Sequence, residues 1–259
     1  MRVFRRGERT LSLLTWNVWF GLERPHRRWT ELLAIVGSLE PDVIAFQEVT
    51  DPFLDMLRTA PWVKNGYELS DPTGASIERY GTVIATRLPP GRVEVHPLES
   101  EMGRKLVVVE AEAGDTKWAF ASVHLESLIE SAVVRGRQLH QIFEILSPFE
   151  HVVLMGDLNF CSSWTEENEL IPARFVDVWP AVRSDDGFTV DAELNEMRRR
   201  EVEGEKRVRF DRILVSSEVA RPLNAKLVGT KRIPGVRPAL FPSDHFGVLG
   251  RLKLDRSTH

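Results

Sequence analysis

Short apolar runs recur along the whole chain, and nearly all of them stop at an amide, a carboxylate or a histidine. Residues 11–16 end in Asn17. Residues 43–46 end in Gln47-Glu48, and residues 120–123 end in His124. Residues 152–155 lead into Gly156-Asp157-Leu158-Asn159, residues 209–215 contain Asp211, and the last run, 246–254, follows Ser243-Asp244-His245. Apolar runs of this length read as strands buried on both faces. Residues 83–86, 106–112, 118–123 and 225–228 read the same way, and 42–46 is entered through Pro41. Helical spacing is clear in 29–39 (Trp29, Leu32, Leu33, Val36) and in 132–146 (Leu139, Ile142, Phe143, Leu146). Many strands with few helices between them argue against a single doubly wound sheet. They predict a four-layer α/β sandwich: two packed mixed β-sheets flanked by helices.

No repeat, low-complexity tract or linker divides the 259 residues, so one domain is expected, with its core at about 10–254. Residues 184–208 are polar, charged and weakly periodic. They are expected to be a long surface excursion, in part helical, and, with the loop after Asn17, to wall the substrate site.

A polar residue at a strand end is ordinarily a turn or cap residue. Six such sites on strands packed side by side would converge at one edge. That edge would hold Asn17, Glu48, His124, Asp157, Asn159, Asp211, Asp244 and His245. Carboxylates and amides without cysteine suit a hard, oxygen-preferring cation. Magnesium takes one or two carboxylates, keeps waters and completes its shell with substrate phosphate, whereas zinc prefers more His or Cys. Two histidines remain for proton transfer or for charge in a transition state. Such a set fits metal-assisted hydrolysis of a phosphoester.

The blocks Thr15-Trp16-Asn17, Gln47-Glu48-Val49, Gly156-Asp157-Leu158-Asn159 and Ser243-Asp244-His245 resemble, in order, the signature of the endonuclease/exonuclease/phosphatase superfamily. His124-Leu125-Glu126-Ser127, Asp177-Val178-Trp179, Arg209-Phe210-Asp211-Arg212-Ile213 and the segment from Phe241 to Gly247 resemble its 5′-tyrosyl-DNA phosphodiesterase branch. The resemblance implies a magnesium-dependent phosphodiesterase, with manganese able to substitute. Glu48 would be the main metal ligand, with Asn17 and Asp244 beside it. Asp157 would be the general base, and Asn159 would position the water and a phosphate oxygen. His245 would stabilise transition-state charge and be oriented by Asp211. His124 would contact the phosphate from the other side, helped by Ser127. The implied partner is a DNA end, single-stranded at its 5′ terminus and carrying a tyrosyl adduct, acted on by a monomer during repair.

Three positions depart from that branch. Trp19 replaces an acidic residue found in many superfamily members, which removes an argument for a second tightly bound metal. Cys161 replaces an Arg of the animal enzymes, so a phosphate or DNA contact is lost unless another basic residue supplies it. Val190 stands where an aromatic residue packs the DNA end, and Phe188 or Phe210 would have to compensate. The substrate-binding set is therefore read as Asn17, Ser127, Cys161, Val190 and Phe210. Other readings stay open: a DNA or RNA nuclease, a small-molecule or lipid phosphodiesterase, and a catalytically silent nucleic-acid-binding module on the same fold. Cys161 is read as a packing residue, with a reactive thiol as the alternative.

A net charge of −4 speaks against long duplex binding through many phosphates, so any nucleic-acid contact should be short and local. The clusters Arg24, Arg27, Arg28 and Arg198, Arg199, Arg200 read first as solvated surface. One cysteine permits no internal disulfide. No apolar run of signal-peptide length follows Arg2, Arg5 and Arg6, and no window is long enough to span a membrane. A soluble protein of the cytoplasm or nucleus is expected.

Overall fold

The computed structural model describes residues 10–200 and 206–255; Arg2, Arg5, Arg6 and the stretch 201–205 of the predicted excursion lie outside them. In chain order the first part is β1 (Thr10–Asn17), α1 (Pro25–Leu39), β2 (Val43–Val49), α2 (Asp51–Thr59), α3 (Pro61–Lys64), β3 (Glu68–Leu69) and β4 (Gly81–Thr86). The middle is β5 (Pro90–Pro97), β6 (Lys105–Ala113), β7 (Thr116–His124), α4 (Ala132–Leu146), β8 (Val152–Asp157), α5 (Thr165–Asn168), β9 (Val176–Asp177) and α6 (Val178–Val182). The rest is β10 (Val190–Asp191), α7 (Glu196–Arg199), β11 (Arg207–Val208), β12 (Asp211–Ser216), β13 (Ala220–Val228) and β14 (Gly247–Leu254).

Two six-stranded mixed sheets form, in the orders β13-β14-β1-β2-β4-β3 and β5-β6-β7-β8-β12-β9. Alternation along each strand explains the layers. Leu11, Leu13, Val43, Ala45, Phe120, Val153, Met155 and Ile213 point between the sheets. Leu14, Trp16, Ile44 and Phe46 point outward to Trp29, Leu32, Val36, Phe53 and Leu57 of α1 and α2. Ala121, Val123, Val152 and Leu154 pack against Leu139, Ile142 and Leu146 of α4. The result is the expected four-layer sandwich.

Each sheet contains a parallel pair joined through a helix: β1 with β2 through α1, and β7 with β8 through α4. Parallel strands finish at the same edge, and register decides what meets there. Asn17 lies opposite Gln47, His124 opposite Asp157, and Asp157 also opposite Asp211. Gln47 joins the sheets just below that edge: its Oε1 accepts from Thr15 Oγ1 of the neighbouring strand at 3.2 Å, and its Nε2 donates to Ser122 Oγ of the other sheet at 3.2 Å.

The predicted surface excursion is corrected. Thr189, Val190, Asp191, Ala192, Asn195 and Met197 are buried. Their polar atoms are consumed internally. Thr189 Oγ1 accepts from the backbone N–H groups of Phe210 and Asp211, and Asn195 Nδ2 donates to Ser243 O at 3.0 Å. Polarity there serves backbone satisfaction rather than solvent. Strand β5 and helix α2 are not among the predicted elements. β5 is an exposed edge strand with Pro, Arg and Glu, so its apolar content is low. Predicted strand 209–215 begins only at Asp211, because Arg209 and Phe210 form the approach to β12.

Gly156 shows how tightly β8 lies on β7. Its φ is +151°, and a Cβ there would stand 1.9 Å from the carbonyl oxygen of Val123. Gly156→Ala should therefore cost about 3 kcal/mol or more, read as a lowered urea midpoint; a wild-type midpoint would contradict this packing.

Candidate active site

Asn17 closes β1, and its amide NH2 bridges two carboxylates. It donates to Glu48 Oε1 at 3.0 Å and to Asp157 Oδ2 at 3.0 Å. Its own Oδ1 accepts the Trp19 N–H at 3.0 Å, which fixes the amide orientation. Asn17, expected beside the metal, thus turns nitrogen rather than oxygen toward Glu48. Glu48 sits where the β2–β4 register shifts, in the left-handed backbone region at φ +57°. Its Oε2 accepts the Phe20 N–H at 3.0 Å. Burial, then the nearby Asp244, push its carboxyl up to about 7.

Asp157 closes β8. Its Oδ1 accepts the Asn159 N–H at 3.0 Å, and Asn159 too is left-handed, at φ +54°. Asn159 Nδ2 donates to Leu125 O at 2.9 Å and reaches Ser127 Oγ at 3.3 Å. Burial alone would raise the Asp157 carboxyl, but His245, His124, Asn17 and the Asn159 N–H outweigh it, and it lies below the usual carboxylate range.

The two histidines are held in opposite states. His245 Nδ1 meets Asp211 Oδ2 at 2.8 Å and lies 3.8 Å from Asp157 Oδ2. Burial opposes its charge, but Asp211, Asp244 and Asp157 prevail and raise it to about 10. It is therefore an imidazolium at neutral pH. His124 is lowered to about 3 by burial and by the Arg104 cation, against the pull of Asp157. Arg104 Nη1 stands 2.9 Å from His124 Nδ1. A guanidinium only donates, so Nδ1 is the acceptor and the proton of the neutral ring sits on Nε2. That Nε2 lies 3.5 Å from Asp157 Oδ2. Arg104 also donates to Ser127 Oγ at 2.5 Å, leaving the hydroxyl proton available to a ligand.

The loop before β14 is tied down from several sides. Ser243 Oγ donates to Asn17 O at 2.6 Å, Trp16 Nε1 donates to His245 O at 3.0 Å, and Arg28 reaches Pro242 O. Arg28 is fully buried and also holds the carbonyls of Glu23, Trp19 and Gly21, so this arginine is framework. Arg198 pairs with Asp244 at 3.3 Å, and Arg200 pairs with Glu23. Arg209 and Arg212 are both taken by Asp177, at 2.7 and 2.8 Å.

The structure thus gathers Asn17, Glu48, His124, Ser127, Asp157, Asn159, Asp211, Asp244 and His245 at one edge. Cys161, Val190 and Phe210 instead form a small apolar cluster, with Val190 wholly buried. Cys161 Sγ lies 3.2 Å from Ser163 Oγ. Asp157, Asp211 and His245 have ligand atoms within 4.8 Å of one another and form a possible metal-binding group. The 2.8 Å contact between His245 and Asp211 already occupies two of those atoms.

Sequence reading missed Arg104 and Tyr80. Arg104 lies over the Tyr80 ring at 5.3 Å, and Tyr80 stacks on Phe20 at 4.8 Å. Both line a cavity of about 330 Å³ that reaches His124. Neither residue lies on a periodic segment, so no pattern marked it. Among the described residues no helix is long and apolar enough to cross a membrane.

Residues 14–245 match the Endonuclease/Exonuclease/phosphatase family. The chain belongs to this family. It is 28% identical to tyrosyl-DNA phosphodiesterase 2 of Mus musculus over 95% of its own length and 66% of the relative's. The Danio rerio protein of the same name is 26% identical, over 92% of this chain and 65% of that one. The chain thus spans just under two thirds of these relatives. Among solved structures, truncated Caenorhabditis elegans TDP2 superposes with a TM-score of 0.78 at 25% identity, covering 94% of this chain and 98% of that one. D. rerio TDP2 complexed with single strand DNA product shares the fold, with a TM-score of 0.81 at 24% identity over 94% and 98%.

The His124 assignment is open to test. Histidine ¹⁵N spectra between pH 4 and 8 should show one ring that stays neutral with its proton on Nε2. Arg104→Gln should raise that ring's pKa, because a neighbouring positive charge is removed. Titration of every histidine near its ordinary value would contradict it.

Proposed function

We propose that this chain is a magnesium-dependent phosphodiesterase that hydrolyses 5′-phosphotyrosyl linkages at DNA ends, freeing the tyrosine and leaving a 5′-phosphate. The observation that carries the reading is one amide, Asn17, linking Glu48 and Asp157 at 3.0 Å each beside a charged histidine. The likeness over 95% of the chain to tyrosyl-DNA phosphodiesterase 2 of Mus musculus supports the substrate.

The donor set fits a hard cation. Burial and the nearby Asp244 oppose the ionisation of Glu48, and a divalent ion bound there would favour the carboxylate. Glu48 and Asp244 would hold Mg²⁺, or Mn²⁺ in its place, and Asn17 would orient Glu48. The ion would act as a Lewis acid on a phosphoryl oxygen. Asp157, kept ionised, aligns a water molecule and accepts its proton. Asn159 places Asp157 through its backbone N–H. His245, charged through Asp211, stabilises the negative charge that grows on the non-bridging oxygens. His124 offers its neutral Nε2–H, and Ser127 its hydroxyl, to the same phosphate. This reading includes action as a monomer. A repair role on such ends would be carried out in the nucleus or cytoplasm.

A second reading, a nuclease on unmodified strands, draws on the burial of Val190. The side chain at that position presents no stacking surface to a DNA end.

The deciding experiment offers matched single-stranded oligonucleotides, with and without a 5′-phosphotyrosine. Tyrosine should be released while the plain strand survives, EDTA should stop the reaction, and Mg²⁺ or Mn²⁺ should restore it. Asp157→Asn should lower kcat by about 10³-fold or more. Degradation of the plain strand would replace this reading with the nuclease.

A further inference from the structure

Position 161 offers no positive charge, and the structure carries a cation against the apolar cluster that Cys161 joins. Cys161, Val190 and Phe210 pack together, and the Lys206 ammonium stands 4.9 Å above the Phe210 ring. Lys206 is half-buried and close enough to feel the charges of Arg198, Asp157 and Asp244. Among the described residues no carboxylate lies within ion-pair distance of it.

Its position is built rather than loose. The Ala192 N–H donates to Lys206 O at 2.9 Å, and β10 pairs with β11 directly beyond. Arg198 lies on α7. Asn195 Oδ1 caps α7 by accepting from the N–H groups of Met197 and Arg198, and its Nδ2 fastens α7 to Ser243. This sets the Arg198 guanidinium 3.3 Å from Asp244. The Arg198 charge is thus met by Asp244, and Lys206 is the cation at this edge with no carboxylate at ion-pair distance among the described residues, which favours an anionic ligand beside it.

Resting on the nucleic-acid reading above, we propose that Lys206, flanked by Arg198, forms a subsite for the second phosphate of the substrate strand, the first internucleotide linkage beyond the 5′ end. The first phosphate has its own donors in His124, Ser127 and His245, so a further cation at the same edge serves the next charge along. The ring of Phe210 beneath the ammonium keeps it partly desolvated, which strengthens its attraction for a phosphate.

The test measures binding of a fluorescent 5′-phosphorylated tetranucleotide, which is a product and is not turned over. It is compared with the same strand carrying a neutral methylphosphonate at the first internucleotide linkage. The wild-type protein should bind the charged strand about tenfold more tightly, the equivalent of one good phosphate contact. In Lys206→Ala this ratio should fall to about twofold or less, and Lys206→Arg should keep most of it. Because the readout is a ratio within one protein, a general loss of folding does not mimic it. Equal binding of the two strands by wild type, or an unchanged ratio in Lys206→Ala, overturns the subsite and leaves the proposed activity standing. If wild type binds neither strand yet hydrolyses small aryl phosphodiesters, the nucleic-acid reading falls, and the subsite with it.

Discussion

Everything at the catalytic edge depends on the Asn17 carboxamide. Its two N–H groups go to carboxylates that belong to different sheets, Glu48 at the end of β2 and Asp157 at the end of β8. A single short side chain thereby sets the spacing between the two halves of the site. Below it, Thr15, Gln47 and Ser122 repeat the link between sheets, so the bridge stands on a polar footing rather than a compressible one. Ser243 adds a third contact by donating to the Asn17 carbonyl, which brings the loop with Asp244 and His245 to the same point. Side chains sharing one amide cannot drift independently, and phosphoryl transfer depends on such preorganisation.

The electrostatics follow from which partner each histidine was given. Both rings are buried and both lie near Asp157. One is paired with a carboxylate and stays charged; the other meets a guanidinium and stays neutral. Asp157 Oδ2 therefore has an imidazolium at 3.8 Å and a neutral N–H donor at 3.5 Å. Neither state follows from the residue type. At His124 it follows from burial reinforced by Arg104, just before β6, and at His245 from Asp211 on β12, which outweighs burial together with Asp244 and Asp157.

How much of this was legible in the sequence depends on the kind of signal. Polar residues terminating apolar strands stand out against their background, so Asn17, Glu48, His124, Asp157, Asp211 and His245 could be placed at a common edge before any coordinates. The helices at α1 and α4 were legible for the same reason, a clear period. Arg104 was not, since nothing in the stretch around it repeats and its burial is fixed by tertiary neighbours alone. The segment around Thr189 and Asn195 read as surface because polar side chains ordinarily face water; here they satisfy backbone groups at the start of β12 and before β14. Cys161 and Val190 were legible as departures, but their joint packing with Phe210 was not, because it joins three separate loops and strand ends.

Glu48 and Asn159 both occupy left-handed backbone, where a side chain costs energy that glycine avoids. Glu48 adds a buried carboxyl facing a second acid. The fold would relax if either demand were lifted, so the residues to which the proposed chemistry is assigned are also places where the chain is held away from its own optimum. Laboratory evolution for heat tolerance alone would therefore drift toward glycine or neutral side chains at these positions and accumulate durable, inert descendants. Under the proposed chemistry, a relative freed from selection for turnover is expected to lose these strained residues first, so the two positions would mark whether activity has been kept.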